Sequence, residues 1–91
     1  MTYSIGFSKA GDRDISKLPA DVTIRIIKAL EKILDDPFVH IQKMKGDHAP
    51  PQYKIRVGEY RVILILDKSD NTLLVDGAGH RSTIYKRYGK G

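Results

Sequence analysis

The stretch Tyr53-Lys54-Ile55-Arg56-Val57-Gly58-Glu59-Tyr60-Arg61-Val62-Ile63-Leu64 decides the fold. Its two arms alternate with the period of a half-buried strand, and Gly58-Glu59 between them suits a two-residue hairpin turn with glycine at the first central position. That turn pairs Val57 with Tyr60 and therefore Arg56 with Arg61. Successive strand side chains point to opposite faces. One face then carries Tyr53, Ile55, Val57, Tyr60, Val62, Leu64 and Leu66, a set suited to a core. The other carries Lys54, Arg56 and Arg61.

C-terminal to this hairpin, Asp67 to Asn71 reads as a turn and Thr72 to Ala78 as a third strand, which completes an antiparallel meander. N-terminal to it, residues 38–52 hold Gly46, Pro50 and Pro51 and read as a loop, with a short extended piece from His40 to Met44. Before the loop, Val22, Ile26, Ile27, Leu30, Ile33 and Leu34 follow helical spacing from Ala20 to Asp35. Pro19 suits the first turn of that helix and Asp-Asp-Pro at 35–37 its end. Lys9 to Leu18 predicts a shorter helix, and Tyr3, Ile5 and Phe7 an opening strand. Two helices joined so closely form an antiparallel hairpin whose apolar face needs a sheet. The expected class is α+β: an N-terminal strand, then a helical hairpin packed on one face of a mainly antiparallel four-stranded sheet, one domain over residues 1–91.

At 91 residues the core must be economical. Without cysteine, a disulfide scaffold, a thiolate metal site and a cysteine nucleophile are excluded. The longest apolar run, Val62 to Leu66, is far too short to cross a bilayer, and MTYSIGFSKAG lacks the features of a secretion signal. A cytoplasmic protein with no membrane partner is therefore expected. Charge is unevenly placed: residues 1–40 hold six cations and six anions, residues 41–91 ten cations and five anions, so the second half carries the whole net charge of +5. A neutral half joined to a basic half suggests a scaffold bearing a polyanion-binding surface, although a basic balance alone is also consistent with simple solubility.

Like charges placed opposite one another on a sheet destabilise it. No carboxylate occurs at 53–57 or 60–66 to offset Lys54, Arg56 and Arg61. The cluster reads either as a solvated open face or as an anion site, and phosphate is the obvious anion. The tail GHRSTIYKRYGKG adds His80, Arg81, Tyr85, Lys86, Arg87 and Tyr88, with His80 and Arg81 expected to emerge at a strand end. His40 and His48 have only Asp47 nearby, a poor metal site.

The run YKIRVGEYRVIL with GHRSTIY resembles the RelE/ParE toxin superfamily, specifically its RelE-type mRNA interferases. The opening strand, the helical hairpin ending in DDP and the KMKG segment at 43–46 fit the same pattern. The resemblance implies the toxin of a type II toxin–antitoxin pair that enters the ribosomal A site and cuts mRNA. Cleavage would proceed by 2′-hydroxyl attack, leaving a 2′,3′-cyclic phosphate or 3′-phosphate end, with no metal or other cofactor. It also implies a cognate antitoxin. Carried over by position, Lys54 matches the first basic residue of the catalytic hairpin, Arg56 replaces a second lysine, and Arg61 matches an arginine that holds the scissile phosphate. Arg81 and Tyr85 match the basic residue and base-stacking tyrosine of the tail. Lys43, Lys45, Lys86 and Arg87 are the further cations expected to meet RNA. A guanidinium hardly deprotonates, so Lys54 is the candidate base and Arg56 with Arg61 the electrostatic clamp. For the acid two candidates stand: His80, with an alternative role as a structural hydrogen-bonder, and Arg81.

Two other readings compete. A ParE-like gyrase inhibitor of the same fold would lack nuclease activity, and such relatives generally lack this combination of hairpin cations and tail tyrosine. A non-catalytic RNA-binding domain needs exposed aromatics for base stacking, yet Tyr53 and Tyr60 fall on the core face.

Overall fold

The computed structural model describes residues 2–37, 40–44 and 51–88. Strand β1 (Ser4–Phe7) is followed by helices α1 (Lys9–Ser16) and α2 (Ala20–Glu31). Strands β2 (Gln42–Lys43), β3 (Gln52–Val57), β4 (Tyr60–Asp67) and β5 (Thr72–His80) come next, and α3 (Arg81–Tyr88) ends the series. The strands form one five-stranded sheet in the order β1-β5-β4-β3-β2. β1 runs parallel to β5 and every other pair is antiparallel. The expected α+β class holds, with one strand more than the four expected: the extended piece at 40–44 pairs Gln42 with Lys54 and Lys43 with Tyr53.

The two helices form where their sequences direct. Ser8 caps α1 by accepting the Gly11 N–H at 3.0 Å. Gly11 then lies directly on β5, where an added Cβ would stand 1.9 Å from the Val75 carbonyl oxygen. Only glycine lets α1 approach the sheet so closely. Helix α2 turns Val22, Ile26 and Leu30 inward, one residue per turn. It ends at Glu31, sooner than the spacing predicts. Residues 32–36 carry on as tighter turns, the Ile33 N–H donating to Leu30 and the Asp36 N–H to Ile33.

The principal core lies between these helices and the sheet: Val22, Ile26, Leu30 and Ile33 pack on Val57, Val62, Leu64, Leu73, Val75 and Ala78. Tyr53, Ile55, Tyr60 and Leu66 join it partly buried, so the hairpin's apolar face is the one the alternation predicts. Phe7 departs from it. It ends the edge strand β1 and stays 41% exposed, while Tyr3 and Ile5 pack inward.

For the opposite face the sequence leaves two readings, a solvated open face or an anion site, and it does not place the tail. In the structure α3 crosses this face, and Ile84 packs with Met44, Ile63 and part of Tyr88 as a small second core. Only Ile84 of α3 is buried, so the eight residues show no helical apolar period to read. Strand β5 also carries a bulge. Leu64 pairs with Val75 but Ile63 with Gly77, which leaves Asp76 as the extra residue. Beyond the bulge the inward and outward positions of β5 exchange parity. Among the described residues, no helix is long and apolar enough to cross a membrane.

Candidate active site

The hairpin register is the expected one: Val57 stands opposite Tyr60 and Arg56 opposite Arg61. Gly58 takes the turn with φ of +59°, a conformation that favours glycine. Like-charged Arg56 and Arg61 are thereby held side by side on the face that α3 partly covers.

Arg61 is not the solvated residue that an open face predicts. It is only 4% exposed. One guanidinium nitrogen donates to the carbonyls of Gly58 at 3.1 Å and Tyr60 at 3.0 Å. The other makes a long 3.5 Å contact to the Tyr85 hydroxyl, and the guanidinium carbon lies 5.9 Å from that ring's centroid. Among the described residues no carboxylate pairs with it; Glu59 is engaged by Arg81 and Asp14 by Arg87. A buried cation without a counter-ion is costly. Here carbonyl dipoles and a phenol are what balance it.

Tyr85 shows how the cations converge. The hydrogen bond from Arg61 holds its hydroxyl below the ordinary tyrosine range. The charges of Arg61, Lys54 and Arg81 act in the same direction, and desolvation opposes them. Lys54, Arg61, Arg81 and Tyr85 thus act at one place, drawn from β3, β4 and α3. Arg56 is exposed beside them. Arg81 sits at the hairpin tip, where its N–H donates to the Glu59 carbonyl at 2.8 Å and its Nε lies 3.0 Å from the Glu59 carboxylate. Sequence reasoning passed over Glu59 because it lies in the turn, outside both strands. Both partners are largely exposed, so the pair orients Arg81 more than it stabilises the fold.

Other expected residues lie elsewhere. His80 was a candidate acid, and the structure removes it from the cluster. It pairs with Tyr60 on the helical-hairpin face, ring to ring at 5.8 Å and nearly perpendicular, because the bulge has exchanged the parity of β5. Its Nδ1 accepts the Ser82 N–H at 3.2 Å, which caps α3. Its contacts with Ser82 have the geometry that the structural hydrogen-bonding alternative expects. Lys43 stands in register with Tyr53 and so also on the helical-hairpin face. Lys86 is exposed on α3. Arg87 is drawn back to α1, its Nη1 donating to Asp14 at 2.6 Å, and that bond holds its pKa above the ordinary arginine value. His40 is exposed, whereas Lys45 and His48 lie outside the described residues.

With this geometry in place, the relatives are informative. Residues 5–85 match the family described as "ParE toxin of type II toxin-antitoxin system, parDE". Toxin RelG of Mycobacterium tuberculosis is 24% identical over 87 residues, covering 96% of this chain and all of RelG. A RelE toxin variant of E. coli in the free state superposes with a TM-score of 0.77 at 24% identity, covering 99% of this chain and 97% of that one. The toxin–antitoxin complex RelBE2 of M. tuberculosis gives 0.76 at 20% identity over 89% of this chain and 100% of its counterpart. The family match spans the sheet, both helices of the hairpin and the start of α3, and the chain therefore belongs to the RelE/ParE superfamily of toxins of type II toxin–antitoxin systems.

Proposed function

We propose that this toxin is a ribosome-dependent mRNA endonuclease, a metal-independent endoribonuclease acting in the cytoplasm. The observation that supports the reading is the buried Arg61, which no carboxylate among the described residues pairs and which reaches Tyr85, a phenol whose pKa Arg61, Lys54 and Arg81 all lower. A phosphodiester placed there supplies the missing anion. Arg61 and Arg56 hold the scissile phosphate and offset the charge that builds on the phosphorane. Lys54 takes the proton of the 2′-hydroxyl, whose oxygen attacks phosphorus as the bond to the 5′-oxygen breaks. Arg81, the acid candidate on this side of the sheet, supplies the leaving oxygen with a proton or stabilises its charge. The Tyr85 ring stacks on a base beside the cut, and the ribosome supplies the in-line orientation that the free site lacks. A cognate antitoxin completes the system. Its relatives were solved as RelBE2 of M. tuberculosis and as a RelE–RelB complex of Pyrococcus horikoshii. An acidic partner that orders as it binds suits the basic second half of this chain.

A second reading, a gyrase inhibitor without nuclease activity, is favoured by the description of the matched family as ParE toxins. Primer extension on a translated mRNA, with and without the protein, separates the two. Cuts confined to ribosome-bound message are expected. Intact message together with inhibited supercoiling would replace the nuclease reading with the gyrase one.

A further inference from the structure

Helix α3 brings Tyr85 and Arg81 to the site, yet little in its own sequence holds it there. Eight residues are too few for a stable isolated helix, and its apolar anchorage is Ile84 with part of Tyr88. His80 caps its beginning. Its end is fastened from the other side of the molecule. Asp14 of α1 is 8% exposed, and a single carboxylate oxygen accepts both the Ala78 N–H at 3.0 Å and the Arg87 guanidinium at 2.6 Å. One atom thereby joins α1, β5 and α3. Gly77, just past the bulge, leaves room for the junction: a Cβ there would stand 2.8 Å from the Tyr88 hydroxyl and 3.4 Å from that same Asp14 oxygen. Arg87 also lies 5.8 Å from the Tyr88 ring centroid. The anchored residue is only two positions beyond Tyr85, so releasing it frees the turn that sets the phenol over Arg61.

We infer that Asp14 is a positioning residue for the nuclease site, seating α3 through its ion pair with Arg87 and so fixing Tyr85 on Arg61. The inference rests on the nuclease reading for its effect on cleavage, but not for its effect on geometry. Asp14 touches no substrate on this account, and Arg87 serves the seat of the helix.

Two variants test it, Asp14→Asn and Arg87→Gln. Each is expected to lower cleavage on ribosomes by roughly a hundredfold, the loss that a misplacement of about 1 Å brings. In each, the Tyr85 phenol is expected to titrate closer to an ordinary tyrosine as it leaves Arg61. Carbon-13 NMR of the tyrosine rings follows this, with the resonance assigned by Tyr85→Phe. Because both residues act through one contact, the double variant should match the more impaired single one. A Tyr85 titration unchanged in the variants would overturn the inference, whatever happened to stability, since a merely structural pair would lower stability and leave the phenol in place. Should Asp14→Asn fail to fold, Arg87→Gln alters only a half-exposed side chain and decides the matter alone. If the wild-type protein cuts no message, the nuclease reading fails, and the titration still shows whether the pair seats α3.

Discussion

At the scale of single residues, Arg61 joins two roles that sequence patterning separates. Its carbonyl partners at Gly58 and Tyr60 make it part of the hairpin, while the absence of a carboxylate beside it among the described residues suits it to the proposed phosphate site. For Arg61→Gln, the hydrogen bonds lost and the relief from burying an unpaired cation oppose each other. Urea unfolding is therefore expected to show a change within about 1 kcal/mol. Cleavage is expected to fall by roughly two to three orders of magnitude, the usual loss for one preorganised electrostatic donor. Full activity in that variant would remove Arg61 from the mechanism. Tyr85 gives a pH signature of its own. Its folded pKa is lowered from the ordinary 10.0, so the folded state favours the phenolate. The associated stability is absent at neutral pH, grows as pH rises through the lowered pKa and is complete above the unfolded value. Melting of wild type beside Tyr85→Phe from neutral to alkaline pH should show a difference that moves in favour of wild type as pH rises.

At the scale of elements, a close approach on one face of β5 and an ordinary van der Waals contact on the other hold the layers in place. α1 presses on β5 through Gly11, and α3 lies on the opposite face of β5, where a Cβ at Gly79 would meet Ile84 at 3.7 Å. The close approach has no slack, because the obstacle is backbone. Gly11→Ala must push α1 away from Val75, and overpacking of this kind typically costs about 1–3 kcal/mol. A fall of that size in urea stability is expected, and an unchanged midpoint would show that α1 can shift freely. Asp14 lies one turn beyond Gly11, so the same variant should also disturb the seat of α3. The bulge at Asp76 is the other element-scale device, directing His80 away from the cations and its neighbour Arg81 to the hairpin tip.

At the scale of the whole molecule, the site sits where the basic half of the chain folds over itself, with the neutral half behind the sheet. Binding of single-stranded RNA to such a surface releases counterions, and affinity falls with salt by a logarithmic slope of about 0.7 per phosphate neutralised. Replacing Lys54, Arg56 or Arg61 by glutamine should each reduce that slope by a similar amount. Replacing Arg87, occupied by Asp14, should reduce it less. Fluorescence anisotropy of a labelled oligonucleotide across a salt series measures both. Equal slopes for all four variants would mean that net charge, and not this arrangement, governs binding.

The hairpin register, the face it buries and the inward stripe of α2 were legible in the sequence by itself, because each depends on near neighbours. Period-two alternation and a glycine turn leave little choice of pairing, and period-3.6 spacing leaves one apolar side. The cation cluster followed from the same register, so Lys54, Arg56 and Arg61 could be grouped before any coordinates. What only the tertiary structure decided depends on contacts without a local mark. A single extra residue at Asp76 reverses which face His80 joins, and nothing in LLVDGAGH announces it. The tail is helical because Ile84 finds Met44 and Ile63 across the sheet, not because its own pattern calls for a helix. Asp14 and Arg87 meet across 73 positions of sequence. Their pairing was settled by packing, once α1 and α3 had each been placed against β5.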